Sequence, residues 1–155
     1  MNNSNDVAGD FSLDRLAARM VRESSPAYGG APAGLGRVRR AVENGLPPEA
    51  VKELQAALKR FGVSRPSEFV NRIVPRATLR RRERLTPEEG EVVVRIAALM
   101  ALAVDVWGCE RRAARFLTTP HMLLGHEVPI EVALSEVGAR QVEYMIHALD
   151  HGLPV

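Results

Sequence analysis

The run VVVRIAALMALAVDVW, Val92 to Trp107, is apolar on almost every side of a helical wheel, interrupted only at Arg95 and Asp105. A helix of this kind is stable in water only when other helices cover it. The stretch therefore predicts a central helix and an all-α fold assembled around it. Its ends are marked: Thr86 and Glu89 have the spacing of a capping box, Pro87 sits at the first helical position, and Gly108 is a stop. No apolar run reaches the roughly 18 residues of a membrane crossing, and the polar start MNNSND lacks the layout of a signal peptide. A cytoplasmic protein with no membrane contact is expected. The lone Cys109 fits a reducing compartment.

The remaining segments supply the covering helices. From Leu35 onward the spacing is helical, with no strict alternation that would signal a strand. Short helices are expected over Leu35 to Glu43, ending at Asn44-Gly45, and in LPPEAVKELQAALKRFG, with Val51, Leu54 and Leu58 on one stripe and Gly62 as stop. SRPSEFVNRIV has Ser64 as a candidate cap and turns Phe69 and Ile73 inward. Pro75 then opens a separate helix, since proline fits a first turn and breaks an interior. Two short helices at a tight joint make a helix-turn-helix. Beyond Gly108, CERRAARFL reads as a helix, HMLLGHEVP as a loop, and SEVGARQVEYMIHALDHG as a last helix from Ser135 to Gly152, with Val142, Met145, Ile146 and Leu149 inward. Near the start, SLDRLAARMVR has the pattern of a short amphipathic helix behind Ser12, followed by a Gly/Pro/Ser-rich linker. The expected organisation is a flexible segment over 1–33 carrying that short helix, a helix-turn-helix part over 34–84, and a second helical part over 85–155.

The formal charge of +2 hides a split at Arg84: residues 1–84 carry 16 bases and 9 acids, residues 85–155 carry 5 and 10. A concentrated cationic half suits a polyanion, nucleic acid first. The densest part is RIVPRATLRRRERL, with six arginines and one acid. On a helix begun at Pro75, Arg76, Arg80 and Arg84 fall in one sector of roughly 80°, with Arg81 about 60° beyond it. Arg76 and Arg80 are the expected base readers. Thr78, Arg81, Arg82 and Arg84 complete the expected DNA contacts, the arginines on phosphates. A solvated face or a protein-binding arginine cluster is the alternative.

Residues of the second half carry a resemblance. Leu85-Thr86-Pro87-Glu88-Glu89, Ala113-Ala114 with Phe116-Leu117, Thr119-Pro120, Leu124-Gly125, Pro129 with Glu131, Glu136 with Gly138-Ala139, and His151-Gly152 stand in the order and spacing of the Xre/MbcA/ParS antitoxins. VPRATLRRR resembles the end of that family's Xre-like helix-turn-helix, so the likeness spans about Leu46 to Gly152. The resemblance implies an all-helical homodimer whose C-terminal part covers the active site of a RES-domain toxin that consumes NAD. It also implies that the helix-turn-helix half binds operator DNA and represses the operon. Toxin contact is then expected from Met122, Leu123 and His126 in the loop and from the tail Gly152, Leu153, Pro154 and Val155. The sequence departs from the family at three places: Ile73 stands where a turn glycine is common, Pro120-His121 and Gly125-His126 replace Pro-Asn and Gly-Gly, and Pro154 stands where an aromatic residue is frequent. A stand-alone dimeric helix-turn-helix regulator, or an adaptor that binds protein only, is the alternative reading.

Catalytic chemistry has no foothold: there is no nucleophile elbow, phosphate loop or paired-carboxylate motif. His121, His126, His147 and His151 meet no standard metal-ligand spacing. Neither a cofactor nor a metal is expected.

Overall fold

The computed structural model describes residues 11–24 and 32–150 of the chain. Among the described residues there are nine α-helices: α1 Leu13–Ser24, α2 Pro32–Glu43, α3 Glu49–Arg60, α4 Pro66–Ile73, α5 Arg76–Leu79, α6 Pro87–Trp107, α7 Glu110–Thr118, α8 Pro129–Val132 and α9 Glu136–Asp150. A 3-10 turn, Met122–Leu124, lies between α7 and α8, and among the described residues there is no strand beyond one isolated bridge between His121 and Glu127. The fold is all-α, as the apolar periodicity demands. No helix among the described residues is long and apolar enough to cross a membrane.

α6 is the axis of the molecule. It packs against α1, α2, α3, α4, α7 and α9. Its 21 residues span about 31 Å at 1.5 Å per residue. Ile96, Leu99, Val93 and Ala103 are buried. The start is capped as the sequence requires: Thr86 Oγ1 accepts the Glu89 N–H at 3.2 Å, and a Glu89 carboxylate oxygen accepts the Thr86 N–H at 2.8 Å. Gly108 ends the helix in the left-handed region at φ 59°.

One continuous apolar core runs from Leu13 through Phe69 and Ile96 to Ile146, with no break at Arg84. α1 belongs to it, with Leu13 and Ala17 buried against the body. The short amphipathic helix expected behind Ser12 is thus present and docked on the body. Its first turn is held by Ser12 Oγ, which accepts the Arg15 N–H, and by a Glu53 carboxylate oxygen, which accepts the Leu13 N–H at 2.7 Å.

The structure corrects four local expectations. Ser64 is not the cap of α4; the position belongs to Arg65, without a side-chain bond, because Pro66 already opens the helix. The segment after Pro75 is helical for one turn only, α5 ending at Leu79. Arg80 still closes the turn, its N–H donating to the Arg76 carbonyl at 3.2 Å, but beyond Arg81 the chain leaves the helical path, so Arg84 does not continue a stripe with Arg76 and Arg80. The stretch expected as a plain loop holds the 3-10 turn and runs on to the one-turn α8. Leu149, expected inward, is 39% exposed.

Candidate functional site

Two surfaces carry the residues singled out by the sequence. The first is the α4–α5 joint and the arginines after it. α4 ends in the extended residue Val74 (φ −135°, ψ 115°), followed by Pro75. Asn71 Oδ1 accepts the Arg76 N–H at 2.8 Å and so supplies the first donor of α5 with a partner. No residue of this joint has a positive φ, so Ile73 sits there without backbone strain.

The arginines beyond the joint divide into two groups. Arg82 Nη1 donates to both carboxylate oxygens of Glu89 at 2.9 and 3.0 Å. Arg84 Nη1 donates to the Gly45 carbonyl at 2.9 Å. These two guanidiniums tie the segment to the start of α6 and the end of α2. The side chains of Arg76, Arg80 and Arg81 are exposed and have no partner among the described residues. Thr78 is half-buried, and its carbonyl accepts the Arg81 N–H at 3.1 Å. The six expected DNA-contact residues therefore resolve into three free cations, one partly buried hydroxyl and two structural arginines. Arg72, just upstream, pairs with Glu131 and connects α4 to α8.

The second surface begins in the loop 121–127. The loop is closed on itself: His121 N–H donates to the Glu127 carbonyl at 3.0 Å, His126 N–H to the His121 carbonyl at 3.0 Å, and Glu127 N–H to the Leu124 carbonyl at 3.1 Å. His121 Nδ1 accepts the Leu123 N–H at 3.3 Å. The ring of His121 lies edge-on to Phe116, centroids 5.9 Å apart, and Phe116 lies against Trp107 at 4.9 Å. His121 is thus a structural residue of the loop. Leu124 is buried and anchors it, whereas Met122 and Leu123 point outward with 73% and 46% of their surface exposed.

His126 is exposed and stands at φ 67°, alone among the described non-glycine residues in having a positive φ. An L-residue there costs roughly 1–2 kcal/mol, although histidine enters the region more readily than most.

α9 extends this apolar surface. Gln141 Nε2 donates to the Leu123 carbonyl at 3.5 Å, so the 3-10 turn sits beside the middle of α9. One turn either side of Gln141 stand Val137 and Tyr144, 80% and 71% exposed. Large apolar groups left in water at neighbouring positions mark a place for a partner. The sequence reading followed the inward stripe Val142, Met145 and Ile146 and missed these two. At 100° per residue Val137 and Tyr144 fall within about 20° of each other, opposite Val142, a second apolar line that a wheel of α9 contains. The tail residues Gly152, Leu153, Pro154 and Val155, together with His151, lie outside the described residues.

Among the described residues no group of three or more His, Cys, Asp and Glu side chains is placed to hold a metal ion. Cys109 stands at the N-cap position of α7. The backbone N–H groups of Arg112 and Arg111 hold its thiol below the usual range.

Residues 102–152 match the family described as the antitoxin Xre/MbcA/ParS C-terminal toxin-binding domain. The matched stretch contains all of the second surface: the loop, Met122, Leu123, His126, Val137 and Tyr144. The chain is also 36% identical over 85 residues to an Antitoxin Xre of Yersinia enterocolitica (serotype O:8 / biotype 1B), an alignment covering 52% of this chain and 57% of that protein. The chain thus spans a little over half the length of the curated relative it matches. The match of its C-terminal third and this identity support a relationship of the chain to the Xre/MbcA/ParS antitoxin family.

Proposed function

We propose that the protein is a cytoplasmic, homodimeric antitoxin that neutralises a RES-domain toxin by covering the toxin's NAD site, and that it represses its own operon by binding operator DNA. The observation that carries the first half is the exposed apolar surface of Met122, Leu123, Val137 and Tyr144 inside the residues matched to a toxin-binding domain. Burying an aromatic and three aliphatic side chains is the type of contact that dominates protein interfaces. The acidic bias of residues 85–155 complements a toxin pocket made cationic for dinucleotide phosphates. The second half rests on Arg76, Arg80 and Arg81, exposed beside the joint and able to meet phosphates.

The test is co-expression with the toxin encoded by the neighbouring reading frame. Cells making the toxin alone lose NAD and stop growing; cells making both keep NAD, and the two proteins co-purify. A protein that neither co-purifies with that toxin nor restores NAD would overturn the reading. One observation favours an adaptor that binds protein only: α5 is a single turn and two of the expected DNA arginines are engaged internally. Mobility shift of the promoter duplex separates the two, since an adaptor leaves it unretarded.

A further inference from the structure

A helix of four residues is about 6 Å long, short against a major groove about 12 Å wide, and α5 offers only Arg76 from its own turn. A duplex docked here needs cations from another element, and α2 holds them. Arg37 and Arg40 are exposed and without a partner among the described residues, whereas the neighbouring Arg39 is paired with Glu43 at 2.6 Å. At 100° per residue Arg37, Arg40 and Asn44 lie within about 60° of one another, on the side away from the buried Val38 and Val42.

The end of α2 is fastened to the arginine segment. Leu85 N–H donates to the Leu46 carbonyl at 2.8 Å, and Arg84 holds the Gly45 carbonyl. Gly45 has φ 81°, and a Cβ there would lie 2.7 Å from the Leu85 carbonyl and 3.1 Å from Arg84 Cβ. The close approach places Arg40 within about 25 Å of Arg81 along any path the chain permits. Each strand of a duplex presents a phosphate about every 3.4 Å of axis, so a separation of this size lies within the length of a single short duplex.

We propose that α2 is a second phosphate-binding element, with Arg37 and Arg40 gripping the backbone of the same DNA duplex that Arg76, Arg80 and Arg81 engage. The inference rests on the DNA-binding half of the proposed function. The two structural arginines, Arg82 and Arg84, hold the two cationic groups in fixed relation and do not contact DNA.

The experiment is fluorescence anisotropy of the full chain with two labelled duplexes, the region upstream of its own reading frame and an unrelated sequence of equal length, between about 50 and 200 mM salt. R37A/R40A is expected to weaken both duplexes by the same factor and to flatten the dependence of log affinity on log salt by about 0.9 for each phosphate no longer neutralised. R37K/R40K, which keeps the charges, is expected to restore the slope. Both positions are exposed, and an unchanged melting temperature verifies the fold of the variants. If the wild type binds DNA and R37A/R40A keeps its affinity and slope while R80A/R81A loses them, α2 has no such role and the DNA reading stands. If the wild type ignores both duplexes, the DNA reading and this inference fall together.

Discussion

The segment 76–84 and the loop 121–127 are short irregular stretches of similar length, yet they are held in opposite ways. The loop is closed by backbone hydrogen bonds among its own seven residues, and only Leu124 is used as an anchor. Met122, Leu123 and His126 are consequently left facing outward. The arginine segment has few bonds of its own after Leu79 and is fixed by reaching to α2 and α6 through Arg84 and Arg82. A locally closed loop keeps its side chains available to a partner, whereas a segment fixed at long range commits some of its side chains to the fold. Charge counted along the chain therefore overstates the cations left free on the surface, and hydrophobicity counted along α9 understates the apolar area left exposed.

The comparison can be broken most severely through what the two regions share. Ile96 is fully buried on α6, which packs against the helices bearing both surfaces. Ile96→Ala is expected to cost about 2–5 kcal/mol, read as a fall in denaturant midpoint, with toxin and DNA binding lost together. Loss of one binding function with the other intact would show that the surfaces do not depend on a common core.

Gly45→Ala tests the long-range fixing of the arginine segment. The new Cβ meets the Leu85 carbonyl in a left-handed backbone, so a loss of about 1–3 kcal/mol is expected in chemical unfolding. Gly62, also left-handed but with open space around it, should respond less to the same change. Equal losses at the two sites would mean that the approach to Leu85 contributes nothing.

His126→Gly sharpens the opposite case. Relief of the positive φ is expected to stabilise the chain by about 1 kcal/mol, a rise of a few degrees in melting temperature, while weakening the toxin complex. A tighter complex with the glycine would remove His126 from the toxin interface.

The smallest effect concerns Cys109. Because the N–H groups of Arg112 and Arg111 favour its thiolate, the rate of alkylation should rise at a lower pH in the native chain than in the chain unfolded in urea. The sign for stability follows: the contribution is present above the ordinary thiol range and is lost as pH falls through the lowered value. Coincident pH profiles would contradict a lowered thiol at this position.

Where the signal was local and strong, the sequence and the structure agree. The Thr86/Glu89 capping box, Gly108 and the apolar run between them define α6 without help from the rest of the molecule. Ser135 likewise serves the start of α9, its Oγ accepting the Gly138 N–H at 3.0 Å. The end of α5 was not legible because two effects oppose the helix that Pro75 begins. Arg76, Arg80 and Arg84 at i, i+4 spacing repel one another, and Arg82 and Arg84 find partners 7 and 39 residues away that draw the chain off the helical path. A wheel drawn through the segment sees neither partner. α8 is a single turn and leaves no periodicity to read. The outward line of Val137 and Tyr144 was present in the sequence but was masked by the longer buried stripe on the same helix.

The most direct test of a toxin-facing apolar surface separate from the cationic one is titration of the purified toxin from the neighbouring reading frame with wild type, V137D/Y144D and R76A/R80A/R81A. Both α9 positions are exposed, so the melting temperature of V137D/Y144D should match that of the wild type. The expected result is a loss of about 2–4 kcal/mol in toxin affinity for V137D/Y144D with promoter binding retained, and the reverse pattern for the arginine variant. Wild-type toxin affinity in a folded V137D/Y144D would contradict the assignment of this face.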